Sequence, residues 1–140
     1  MTIGNTLKNA GIAAGVALVI NLIIFFVAKA MGWISDDFPI EGQGPVSPIA
    51  VAFSSVVPCL IGAILYWLLA NYVPSGTVIF WIIAVVVLFW SYFNPSKMIA
   101  NIPFSMELAM NVMHNVVASS LLYFLTGRRD DAFKAEVATA

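Results

Sequence analysis

The stretch Glu107–Leu125, ELAMNVMHNVVASSLLYFL, decides how this chain is read. It is apolar enough for lipid, yet it carries Glu107, Asn111, His114 and Asn115. At about 100° per residue on a helix, Glu107, Asn111 and His114 fall within roughly 60° of one another and form a stripe. Ionisable groups inside a membrane segment are costly and face a bundle interior or a wet cavity, so candidate functional residues are sought here first.

Working outward, three more apolar runs accompany this one. Spans are expected at about residues 10–34, 48–72, 77–93 and 104–126, most of them long enough for roughly 30 Å of hydrocarbon at about 1.5 Å per residue. With 61% hydrophobic residues, 9% charged residues and a mean hydropathy of +0.97, the chain lies far from the composition of a soluble domain. The sequence therefore predicts an all-α membrane protein. Residues 1–127 are expected to form a four-transmembrane-helix bundle and residues 128–140 a short cytoplasmic tail. A net charge of −1 argues against a nucleic-acid partner. The single cysteine, Cys59, can form neither an internal disulfide nor a dithiol redox pair.

The first run has two features to weigh. Lys8 precedes it and Ala28, Lys29 and Ala30 form an A-x-A pattern, as in a signal peptide, but the run from Gly11 to Ala28 exceeds a usual signal core. It is read as a retained first span. Gly11 and Gly15 make a G-x-x-x-G spacing that allows close helix approach, expected within the bundle in preference to a homodimer seam. Asn21 lies mid-span, Lys29 near the far end where its stem can snorkel, and Trp33 marks the interface.

An acidic loop follows, with Asp36, Asp37 and Glu41. In the second span Pro58 should kink the helix, and the adjacent Ser54 and Ser55 are expected to satisfy freed backbone groups. The third span is apolar all round apart from Ser91 and should be the most lipid-exposed. Asn101 or Ser105 is expected to cap the fourth, placing Glu107 in its opening turn, where the helix dipole favours an anion.

Basic residues set the orientation. Lys8, Arg128, Arg129 and Lys134 fall on the side of the termini, against Lys29 and Lys97 on the other. The positive-inside rule then places both termini in the cytoplasm. In this frame Lys29 and Glu107 lie at equal depth and are expected to form an ion pair. Asn21 and His114 lie roughly 10–12 Å deeper, level with Ser54 and Ser55. These residues are expected to converge on one polar pocket in the outer half. The inner half offers no acids to continue it, which disfavours a channel through the monomer.

For His114 the structural reading is a neutral imidazole hydrogen-bonded between helices. One histidine with no second histidine or cysteine nearby is a poor metal site. No cofactor is expected, although axial ligation of a haem or chlorophyll needs only one imidazole and stays open. Met106, Met110 and Met113 read as adaptable packing rather than a copper site.

At Met113, His114, Asn115, Val116, Val117 and Ala118 the fourth span resembles the last helix of a family of small bacterial four-span membrane proteins of unknown function. The resemblance extends to the layout: a mid-membrane asparagine in the first span, an outer loop ending in proline and glycine, a small-residue second span, and a Met-His pair in the last. It implies a bacterial four-helix bundle and no activity. Glu107 and Pro58 lie outside what it carries.

Two functions follow as expectations. The first is a non-enzymatic accessory or scaffold subunit of a larger membrane assembly, with membrane lipid, other membrane subunits or further copies of itself as partners. The alternative is a ligand-binding or transport bundle holding a lipid, quinone, pigment or small cation. An enzyme ranks third, with Ser54 or Ser55 and His114 as the only candidate nucleophile and base.

Overall fold

The computed structural model describes residues 2–127. Over that range the chain is helical: α1 Ile3–Ala30, α2 Pro48–Tyr72, α3 Gly76–Ser91, a short α4 Asn94–Met98, and α5 Phe104–Leu122, which continues through a π-helical turn Tyr123–Gly127. Three of these helices, the last counted through Gly127, are long and apolar enough to cross a membrane, and α3 is shorter. The expected tail, with Arg128, Arg129 and Lys134, lies outside the described residues.

Helix ends follow from local chemistry more closely than from the edges of apolar runs. The first helix begins at Ile3 rather than near residue 10, because Thr2 accepts a hydrogen bond from the Asn5 N–H at 3.4 Å and caps the chain well before Lys8. It stops at Ala30 rather than at Ile34. Gly32 takes φ +72°, its N–H bonds the Lys29 carbonyl at 3.1 Å, and the Trp33 N–H reaches the Ala28 carbonyl at 2.8 Å. That pair of bonds closes the helix as a Schellman motif, which needs the left-handed residue glycine supplies. The second helix matches its expected bounds, with Ser47 capping through the Ala50 N–H at 3.2 Å.

Between α2 and α3 the turn is tight. Ser75 is left-handed at φ 59°, and a Cβ at Gly76 would overlap the Leu69 carbonyl, so only glycine fits. The third helix ends at Ser91, short of Phe93, and α4 occupies what the sequence suggested was a plain connector. Pro95 starts this small helix and is buried beneath it. At the start of α5 the capping position falls on Pro103, not on Asn101 or Ser105, and Asn101 instead turns the chain at φ 54°.

Packing divides the interior into two apolar clusters. One holds Ala10, Ala13, Ala14, Cys59, Ala63, Tyr66, Phe80, Leu121 and Leu125. The other, toward the acidic loop, holds Phe25, Ala28, Ile34, Val51, Ile99, Met106 and Met113. Ala10 and Leu125 share the first cluster, so α1 begins at the end of the bundle where the last helix finishes.

The glycine expectation is corrected here. Gly11 and Gly15 face outward with nothing within 4 Å of an added Cβ. Alanines do the close packing instead, since Ala10 with Ala14 and Ala13 with Ala17 sit four apart on the buried face, and Ala10, Ala13 and Ala14 cluster with Cys59 and Ala63 of α2. Among the described residues of α3, only Gly76 and Phe80 are buried. Many large apolar side chains, including Phe53, Ile61, Val86 and Trp90, lie exposed over the surface, a distribution that lipid tolerates and water does not.

Candidate functional site

The polar residues singled out from the sequence fall in three separate places around α5. On the α1 side, Asn21 is 1% exposed, and its amide nitrogen donates to Ser55 Oγ at 2.9 Å and to the Met113 carbonyl at 3.2 Å. Ser55 in turn donates to the Val51 carbonyl at 2.8 Å. This small network ties α1, α2 and α5 together. The Asn21 Oδ1 atom is buried without a hydrogen-bond partner among the described residues.

On the α3–α4 side lies a ladder with a spacing of four. Glu107 accepts from the Ser96 hydroxyl. Asn115 donates to the Asn111 carbonyl at 3.0 Å and accepts from the Tyr92 hydroxyl at 2.8 Å. The Asn111 side-chain oxygen between them is buried and unpaired among the described residues.

On the α2 side stands His114, whose Nδ1 lies 2.8 Å from the Met110 carbonyl one turn earlier. A carbonyl can only accept, so Nδ1 carries the proton and Nε2 of the neutral ring is left with a free lone pair. The expected bond between helices is therefore replaced by one within α5. Ser54 donates to the Val51 carbonyl at 3.0 Å. Neither Ser54 nor Ser55 donates to the imidazole, and the geometry sets up no nucleophile–base pair.

Two cavities meet at Ser54 and His114. A cleft of about 450 Å³ runs between α2, α3 and α5, with Pro58, Gly62, Phe80 and Val117 among its walls and Ser54, Ser91 and His114 as its polar side chains. A smaller pocket of about 210 Å³ lies beneath the acidic loop, where Gln43, Asn94 and Met110 join the same serine and histidine. Pro58, inside α2, thus forms part of the cleft wall. Asn21, Ser55, Glu107, Asn111 and Asn115 line neither cavity.

The single outer pocket expected from depth alone is thus corrected to three separate places. So is the ion pair. Lys29 Nζ bonds Asp36 Oδ1 at 3.0 Å, not Glu107, because the Schellman turn brings the loop back over the end of α1. Both partners are substantially exposed, so the pair contributes little. Among the described residues no three His, Cys, Asp or Glu side chains gather where they could hold a metal ion.

The sequence singles out neither Tyr92 nor a role for Ser91, the one polar exception in the third span. Either would have needed the α3–α5 contact, which no local pattern encodes.

Residues 2–131 match the model of the family of unknown function DUF6069. The chain belongs to the DUF6069 family. Membership now rests on nearly the whole chain and not on the Met113–His114 motif alone. No curated protein and no solved structure matches this DUF6069 member.

Proposed function

We propose that this chain is a non-catalytic, multi-pass protein of the bacterial inner membrane that holds an amphipathic, lipid-like molecule in the cleft between α2, α3 and α5. In this reading four helices cross the membrane and both termini are cytoplasmic, as the basic residues at Lys8, Arg128 and Arg129 favour. One observation carries the proposal: the cleft of about 450 Å³ is apolar along its length and polar only where Ser54, Ser91 and His114 lie. That combination suits a tail with a small head. A bare cation is disfavoured, because no carboxylate lines the cleft.

Native mass spectrometry of protein extracted with its surrounding lipid tests the reading. Wild type is expected to carry a bound small molecule that Ala118→Trp, which fills the cleft, does not. Identical adducts in both would sink the idea. An absorption spectrum of the same samples would report a haem or chlorophyll held axially by His114.

A second reading, the accessory or scaffold subunit, is favoured by the outward-facing Gly11 and Gly15, which leave a shallow strip on α1 unused by the bundle. Mass measurement in mild detergent decides it. A strictly monomeric protein with no co-purifying partner would count against it.

A further inference from the structure

The three polar side chains of the cleft share a property that their sequence positions conceal. Ser54 donates its hydroxyl hydrogen to the Val51 carbonyl at 3.0 Å, and Ser91 donates its own to the Leu88 carbonyl at 2.7 Å. His114 commits its Nδ1 proton to the Met110 carbonyl, with 2.8 Å between nitrogen and oxygen. Each has one hydrogen to give when the ring is neutral, and each gives it to its own helix. With the ring neutral, what these residues bring to the cleft wall is acceptor capacity only: lone pairs on two hydroxyl oxygens and on His114 Nε2.

Resting on the proposal that the cleft holds an amphipathic molecule, we infer that it selects an amphiphile whose neutral headgroup donates a hydrogen bond, an alcohol, phenol or quinol rather than a ketone, quinone or carboxylate. An acceptor-only headgroup would place lone pair against lone pair in a site shielded from water, leaving groups on both sides unpaired. A carboxylate adds an uncompensated charge. An ammonium can donate, but the cleft lacks an acid to offset its desolvation. A hydroxyl meets Nε2 with the correct polarity and carries no charge.

The shared walls at Ser54 and His114 give the headgroup a second contact. The smaller pocket beneath the acidic loop begins at these residues, and the exposed Gln43 lies at its outer side. A head bound at His114 therefore lies between the apolar cleft and the surface of the bundle, with its tail directed along Gly62 and Leu121.

The test uses chain-matched probes, 1-hexadecanol, 2-hexadecanone and hexadecanoate, titrated into the full-length protein in dodecyl maltoside and read by native mass spectrometry. The alcohol is expected to bind about ten- to hundredfold more tightly than the ketone, the ratio that an unpaired buried acceptor corresponds to. Replacing His114→Gln adds an amide donor and should raise ketone binding severalfold, while His114→Phe should shrink the alcohol preference. Circular dichroism and a single elution peak establish that each variant is folded. Equal binding of alcohol and ketone, both abolished by Ala118→Trp, would overturn the selectivity and leave the cleft reading intact. Probe binding that Ala118→Trp leaves unchanged, or no binding by any probe, would overturn both.

Discussion

Replacing Tyr66 with phenylalanine should stabilise this protein, the opposite of what a buried tyrosine ordinarily does. Tyr66 is fully buried in α2, its ring 4.9 Å from that of Phe80 between centroids, among Ala10, Ala13 and Ala63. Among the described residues its hydroxyl has no hydrogen-bond partner. Where such a hydroxyl is paired, removing it loses about 1 kcal/mol; where it is orphaned, removing it relieves a desolvation penalty of about 1–3 kcal/mol. The substitution leaves a void of on the order of 15 Å³, which at about 24 cal/mol per Å³ costs about 0.4 kcal/mol. The ring contact with Phe80 survives unchanged. The net expectation is a gain of about 0.6–2.6 kcal/mol, the relief less the void. Equilibrium unfolding in mixed dodecyl maltoside and dodecyl sulfate micelles measures it, with the loss of helical ellipticity as the signal. A loss of 1 kcal/mol or more in Tyr66→Phe would refute the reasoning and show that the hydroxyl has a partner.

Two further outcomes follow from the same packing. Asn21→Leu should change stability by less than about 1 kcal/mol, because two interhelical bonds averaging about 0.6 kcal/mol each are exchanged for relief of the orphaned Oδ1, whereas Asn21→Ala also leaves a void and should cost about 2 kcal/mol in the same unfolding assay. Gly76→Ala should cost more than about 3 kcal/mol or prevent folding, since its Cβ would overlap the Leu69 carbonyl in a turn that cannot yield without opening the α2–α3 corner; expression level and thermal midpoint check it.

The parts of this fold that can be read from sequence are those set by neighbours along the chain. Pro48 and the preceding Ser47 mark the start of α2 because a proline in the first turn and a serine cap act locally. The ends of α1 depart from the edges of its apolar run for a related reason: lipid-like residues mark where a helix can be buried, while Thr2 and Gly32 decide where it begins and ends. The five-residue α4 left no periodic signal.

The candidate site was legible as a list and not as a place. Helical geometry correctly put Glu107, Asn111 and His114 within a narrow arc. A narrow arc on α5 still spans two neighbours, with α3 and α4 on one edge and α2 on the other. Equal depth likewise made Lys29 and Glu107 look like partners, but Asp36 lies seven residues from Lys29 in sequence and Ser96 rides on a helix the pattern did not reveal. Small-residue spacing had the same ambiguity. It identified α1 as a close-packing helix and could not say that alanines, not Gly11 and Gly15, would take the inner face.

The brevity of α3 carries a consequence for the lipid around it. Its 16 residues reach about 24 Å at about 1.5 Å each, against roughly 30 Å of hydrocarbon, while α1 has 28 residues and α2 has 25. In the proposed membrane arrangement the bundle is thus taller on one flank than on the other. A bilayer meets such mismatch by thinning locally or by letting the protein lean. Leaning lowers the tall flank, whereas thinning draws the two leaflets toward each other beside α3, the wall that closes the cleft, so in that arrangement short-tailed lipids would be favoured at that flank.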